Sequence, residues 1–208
     1  YRSAQNVVDY MEGATYVKME NIADIVDVGA GKSFGVEGSV VKESGLTTWS
    51  ISYTWGKSLD RYDNQNNGMW FYSKQDIRHN LSAWISQKLG KHFDVSASFV
   101  YKSGRYITLE DMYLPVFVTP AQSVENVFIA SGINNYKLGD YHKLDLSANY
   151  YIFHKLGKST INISINNVYN HHNTYKLWLI ELPNKQGYEL RSLCLFPFMP
   201  SLSYSFEF

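Results

Sequence analysis

A single cysteine, Cys194, stands among 208 residues. That excludes an intramolecular disulfide and any zinc site built on cysteines. Charge of one sign is equally scarce, because 19 Lys and Arg balance 19 Asp and Glu. A nucleic-acid partner held by a basic face is therefore excluded, as is a charge-rich disordered chain. No window approaches the roughly 18 consecutive apolar residues of a transmembrane helix. A membrane barrel stays compatible, since its strands hide apolar residues at every second position. The chain opens on Tyr1-Arg2-Ser3, with neither Met nor a charged and apolar leader. It reads as a processed chain or as the later part of a longer one.

Rings are what the chain has in excess: 17 Tyr, 11 Phe and 5 Trp, 16% of all residues, against 18% charged. The mean hydropathy is nevertheless only -0.28.

The dominant period is two. At the end of the chain Leu202, Tyr204, Phe206 and Phe208 alternate with Ser201, Ser203, Ser205 and Glu207. Leu144, Leu146, Ala148, Tyr150 and Ile152 oppose Asp145, Ser147, Asn149 and Tyr151. The same alternation sets Ile161, Ile163 and Ile165 against Asn162 and Ser164, and Val95, Ala97, Phe99 and Tyr101 against Ser96 and Ser98. Trp49, Ile51, Tyr53 and Trp55 face away from Ser50, Ser52 and Thr54. Weaker runs lie at 33–41 and 80–86, and 2–11 matches least. About eight strands and no helix are predicted.

The links between these runs alternate in length. Short ones fall at Lys42-Glu-Ser-Gly45, Lys88-Leu-Gly-Lys91 and Lys155-Leu-Gly-Lys158, each with the glycine a tight turn favours. Long ones fall at 12–31, 57–76 and 106–141, with an extended hairpin whose tip is 183–187. An up-and-down sheet gathers the short turns at one end and the long loops at the other. That is the pattern of outer-membrane barrels, with short periplasmic turns and long extracellular loops, and it puts the C-terminus on the periplasmic side.

A soluble sandwich would also alternate. Its polar face, however, would be solvent-facing and rich in Lys and Glu. Here the polar positions are mostly Ser, Thr, Asn and Gly, the charges collect in the links, and rings crowd the apolar face. Aromatic belts at a bilayer interface account for those rings. The expected fold is all-β, an antiparallel transmembrane barrel wall. Eight strands alone make a lumen only just wide enough for side chains to fill it. Small residues such as Ser96, Ser98, Ser147, Asn149, Asn162 and Ser164 would leave such a lumen underfilled and suit a wider barrel.

A series of stretches carries a resemblance. They are Gly29-Ala-Gly-Lys-Ser-Phe-Gly-Val-Glu37, Gly45-Leu-Thr-Thr-Trp-Ser-Ile-Ser-Tyr-Thr-Trp55, Asp76-Ile-Arg-His-Asn-Leu81, Tyr101-Lys-Ser-Gly-Arg105, Tyr141-His-Lys-Leu-Asp145 and Asn166-Asn-Val-Tyr-Asn170, ending in the strand Pro197 to Phe208. Together they resemble, in order, the C-terminal barrel of TonB-dependent outer-membrane receptors of the Bacteroidetes type. The resemblance implies that residues 1–208 are the last third of a 22-stranded barrel, with the plug, the TonB box and about fourteen earlier strands absent. It implies nutrient import of a siderophore, cobalamin or a glycan, with no catalytic residues, no cofactor and no metal. The implied partners are outer-membrane lipid, the rest of the barrel and its plug, TonB and the barrel-assembly machinery. A surface lipoprotein is a partner in the carbohydrate-using branch of the family, whose C-terminal pattern is not seen here. Tyr204, Phe206 and Phe208 resemble the terminal assembly signal, read by strand addition. The alternatives are a complete eight-stranded barrel with a structural or adhesion role, and an outer-membrane hydrolase using a pair such as Ser82 and His79.

Other motifs are decoys. Gly31-Lys32-Ser33 has the end of a P-loop, but Val26 occupies the position of its first glycine and no helix follows. Gly31 to Gly35 also fits a nucleophile-elbow spacing without the strand-to-helix turn that it needs. His171 and His172, placed on the outer part of the seventh strand, would point to opposite faces and could not share a metal. The candidate substrate contacts lie in the long links: Tyr62, Asn66, Asn67, Trp70, Phe71 and Tyr72 in one, Tyr113, Asn135 and Tyr136 in another. Rings stack and amides hydrogen-bond, which suits a sugar or ring-bearing ligand.

Overall fold

The structure is a computed structural model that describes residues 1–10, 26–118, 123–183 and 187–208. The alternating runs become eight long strands: β1 (Arg2–Tyr10), β2 (Val26–Lys42), β3 (Thr47–Tyr62), β5 (His79–Lys88), β6 (Phe93–Lys102), β11 (Tyr141–His154), β12 (Gly157–Asn166) and β15 (Met199–Glu207). They pair in that order as one antiparallel sheet. Short strands decorate the long-loop end: β4 (Phe71–Tyr72) beside β3, β7 (Tyr106–Ile107) with β10 (Tyr136–Lys137), β8 (Met112–Val118) with β9 (Ser123–Ile129), and β13 (Thr174–Glu181) with β14 (Tyr188–Cys194). The connections at the other end are tight. Gly45 and Gly90 there adopt φ of 98° and 85°, a region that favours glycine.

Three links expected to be loops are partly strand. β2 begins at Val26 and β3 runs on to Tyr62, while the 106–141 link holds two strand pairs. The 26–31 run alternates only briefly, Val26, Val28 and Ala30 against Asp27, Gly29 and Gly31, and 57–62 sets Lys57, Leu59 and Arg61 against Ser58, Asp60 and Tyr62, so both read less clearly than the wall strands. Residues 11–25 and 184–186, within the expected first loop and the hairpin tip, lie outside the described residues. Lys32 sits inside the continuous strand β2, which removes the P-loop geometry. His171 and His172 are not in a strand; they lie in the link between β12 and β13.

The register assigns the faces. Trp49 pairs with Ile85, Ile85 with Ala97, Ala97 with Leu146, Leu146 with Ile165 and Ile165 with Pro200, all on one side. On the other side Thr48, Ser86, Ser96, Ser147, Ser164 and Ser201 form the adjacent row. β5, β6 and β12 have 10 residues each, matching the roughly 9–11 that a tilted strand needs to cross a bilayer.

The sheet has no hydrophobic core. The buried apolar residues among those described are Tyr62, Leu109 and Leu138, all at the long-loop end. The apolar face stays uncovered, with Ile51 48%, Ile163 57% and Leu202 74% exposed. Apolar contiguity on this scale marks a surface that meets lipid or another apolar partner. Among the described residues β1 pairs only with β2 and β15 only with β12, so the sheet is an open wall and not a closed eight-stranded ring.

Candidate functional site

The long-loop end is assembled by asparagines. Asn66 and Asn134 lie at φ of 47° and 53°, left-handed backbone that asparagine tolerates because its short side chain bonds locally. Their amides then tie separate links together. Asn66 accepts from the Ile133 N–H at 2.8 Å and donates to the Ile133 carbonyl at 3.0 Å. Asn134 donates to the Tyr72 carbonyl at 2.8 Å. Asn135 grips Leu109 from both sides, at 2.8 and 2.9 Å. Asn173 does the same to the backbone of His142, at 2.9 and 3.0 Å. Asn167 is fully buried; it donates to the carbonyls of His171 and Phe196 and accepts from the His171 N–H, each at 2.9 Å.

Two acids serve the same end. Asp140 accepts from the Tyr101 hydroxyl at 2.6 Å and from the Gly104 N–H at 2.8 Å, and these bonds hold its carboxyl below the usual carboxylate range. Asp111 is lowered likewise by the Ser131 hydroxyl and N–H. Gly104 is required where the chain crosses Leu138, because a Cβ there would lie 1.7 Å from the Leu138 carbonyl oxygen.

Against this frame the ring-and-amide residues separate into two kinds. Asn66 and Asn135 are occupied by loop backbone. Tyr62 is buried on the polar face, its ring 6.1 Å from that of Phe71. Tyr72 lies on the opposite face, stacked on Tyr106 at 4.4 Å. Asn67, Trp70 and Tyr136 are exposed. Tyr113 falls on β8, and its side chain lies outside the described ones. Tyr204, Phe206 and Phe208 lie together on the apolar face at the short-turn end, 66%, 44% and 103% exposed.

The structure adds a cleft of about 320 Å³ at the top of β6 and β11, beneath the base of the β13–β14 hairpin. Lys102 and Tyr141 face each other across the β6–β11 register, on the polar side of the sheet. Arg105, Tyr175 and Phe196 complete its working surface, and Arg105 donates to the Tyr175 carbonyl at 3.1 Å. No carboxylate lines it. Two cations and three rings around a concave space suit an anionic ligand with a flat or ring-bearing part. Lys102 and Arg105 were visible in the sequence within Tyr101-Lys-Ser-Gly-Arg105. The signal that could have singled them out is a cation closing an otherwise Ser-rich polar face.

The serine–histidine hypothesis meets its geometry here. His79 stands on the apolar face and accepts or donates at 2.7 Å with the Tyr53 hydroxyl, whereas Ser82 pairs with Ser52 on the polar face. They do not meet. Ser159 does contact His154 at 2.9 Å, but its hydroxyl is also 3.0 Å from Tyr204 and the residue is 3% exposed, so no substrate carbonyl reaches it. His171 stacks on His142 with ring centroids 3.7 Å apart, while His172 is exposed. No group of three or more metal-ligating side chains occurs among the described residues.

An open antiparallel wall, apolar on one face, small and polar on the other, with all elaboration at one end, is the architecture of part of an outer-membrane β-barrel. A solved structure agrees: the chain is similar to the ferripyoverdine receptor of the outer membrane of Pseudomonas aeruginosa, crystallised bound to ferripyoverdine, with a TM-score of 0.50 and 18% identity. The match covers 98% of this chain and 23% of that receptor, so the chain spans about a quarter of its length. At that identity the likeness is one of fold. No family model and no curated protein matches the chain.

Proposed function

We propose that this chain is the C-terminal wall of a TonB-dependent outer-membrane receptor that imports a scarce nutrient, and that the rest of the barrel and a plug complete it. The uncovered apolar face of an open-edged sheet supports this reading most directly: its apolar side needs lipid, and its free edges need further strands. The Ser-rich inner face suits contact with a wet filling and not with a hydrophobic core. The Bacteroidetes assignment rests on the ordered sequence stretches alone. In this orientation the short turns and C-terminus are periplasmic and the asparagine-tied loops extracellular.

Of the three nutrient classes, an anionic ring-bearing chelate such as a ferric siderophore suits the mouth best. Lys102 and Arg105 supply unopposed positive charge, and Tyr141, Tyr175 and Phe196 supply faces for stacking. Asn67 and Tyr136 form an outer rim for first contact, Asn66, Asn135, Tyr62, Phe71 and Tyr72 act by holding the loops in place, and Trp70 lies over Lys32 of the apolar face. Uptake of labelled ferric siderophores, cobalamin and oligosaccharides by cells with and without the gene is the direct test. Energy-dependent ferric-siderophore uptake should vanish on deletion and fall about tenfold in K102A/R105A at unchanged membrane level, in line with loss of two charge-assisted contacts. Unchanged uptake of all three classes in the deletion strain would sink the proposal.

The terminal rings carry a separate role in the same reading. Their exposure on an edge strand suits docking to the assembly machinery. Deleting Phe208 is expected to lower the amount of assembled barrel more than transport per assembled molecule, measured by heat-modifiable migration beside uptake.

A further inference from the structure

On the apolar face of β2 and β3 the charged residues are Lys42, opposite Trp49 at the short-turn end, and Lys32, Lys57 and Arg61 toward the long-loop end, and the receptor reading does not use Lys32 and Lys57. Ascending β2 and β3 on that face, the cross-strand pairs are Val40 with Ile51, Gly38 with Tyr53, Val36 with Trp55, Phe34 with Lys57 and Lys32 with Leu59. The order is aliphatic, aromatic, then cationic. Lys32 and Lys57 are therefore diagonal neighbours, their backbone positions about 7–8 Å apart by sheet geometry. Neither makes an ion pair with a described residue. Each ammonium instead sits over a ring, Lys32 at 4.0 Å from the Trp70 centroid and Lys57 at 5.5 Å from that of Tyr72. One tier or more below the lysines, where His79 lies opposite Trp55 and Tyr101 opposite Leu81, the same face of β5, β6 and β11 shows the rings His79, Tyr101 and His142.

Two like charges held side by side repel unless an anion lies between them. Below them the surface is a shallow trough. Val36 and Val40 are 71% and 61% exposed and Ile51 48%, and a side chain added at Gly38 would meet nothing within 4 Å. A headgroup anion above and an acyl chain below would fill both parts.

We infer that Lys32 and Lys57 bind the phosphate of an outer-leaflet lipid whose acyl chain lies along Val36, Gly38, Val40 and Ile51. The inference rests on the reading of the apolar face as lipid-facing. Lysines just beyond an aromatic girdle stand at headgroup depth, where their stems can stay on apolar surface while the ammonium reaches the phosphate. The rings of Trp70 and Tyr72 hold the two ammonium groups at that level.

The test uses the intact membrane protein in detergent, offered equal amounts of phosphatidylcholine and phosphatidic acid with identical chains, with retained lipid counted by native mass spectrometry. Wild type should retain phosphatidic acid in preference. K32Q/K57Q should lower that retention about tenfold, as expected for two cations at a lipid surface, and leave phosphatidylcholine unchanged. K32R/K57R should restore it, and heat-modifiable migration should show all variants folded. Equal phosphatidic acid retention by wild type and K32Q/K57Q overturns the inference while leaving the lipid-facing reading intact. Displacement of the lipid by equimolar inorganic phosphate overturns it in favour of a free-anion site. Failure of wild type to retain either lipid overturns both the inference and the reading beneath it.

Discussion

The sheet and the loop cap are held together by opposite means. In the sheet a regular backbone ladder joins neighbouring strands and most large apolar side chains stay on one uncovered face, so lateral hydrogen bonds hold it together. In the cap the backbone is irregular, and side-chain amides and carboxylates supply partners that a ladder would otherwise provide. Asn167, fully buried and making three bonds to backbone, has no counterpart among the serines of the sheet wall. Where regular structure satisfies the main chain, small side chains suffice; where it does not, specific polar side chains become structural.

This contrast can be broken by substitution. The largest effect is expected from Ile163→Arg, which puts a charge mid-height on the apolar face and should destabilise the folded barrel by about 2–4 kcal/mol. Ser164→Arg, one residue along on the polar face, should cost under about 1 kcal/mol by the same comparison of lipid and lumen positions. Refolding into lipid vesicles across a urea series measures both, and equal costs would refute the assignment of faces. Next comes Asn167→Ala, which strands one N–H and two carbonyls and should cost about 1–3 kcal/mol locally. Limited proteolysis should then cut within 167–198 while the amount of folded barrel is unchanged.

The smallest effect is an acid response confined to the cap. Asp140 is depressed by bonds formed only in the folded state, so its contribution is complete above the unfolded value of about 3.9 and is lost as pH falls through the lower folded value. Hydrogen exchange at Gly104 and Leu138 should be constant from pH 8 to 5 after correction for intrinsic rates, and should accelerate below about pH 4. Asp140→Asn should show no such acid step.

Much of the wall was legible. Each wall strand is polar on one face and apolar on the other, and that difference is written as period two in runs such as 143–152 and 201–208. The cap was not, for two reasons. Strand extensions such as 57–62 carry charged or polar residues on both faces, Lys57 and Arg61 on one and Ser58 and Asp60 on the other, so no clear alternation marks them. The amides of Asn66 and Asn135, which residue type alone offers equally to a ligand or to backbone, bond instead to Ile133 and Leu109, partners 67 and 26 positions away.

The sequence by itself determined the all-β class, the eight long strands, the side each residue faces and the collection of long links at one end, because these follow from local periodicity and turn chemistry. Only the tertiary structure decided that the sheet is open at β1 and β15, that His171 meets His142 outside any strand, that Lys102 and Tyr141 share a cleft, and that Lys32 and Lys57 stand together beneath Trp70 and Tyr72. Those facts depend on register between strands distant in sequence, and a repeat of two residues reads the same at every register that preserves the faces.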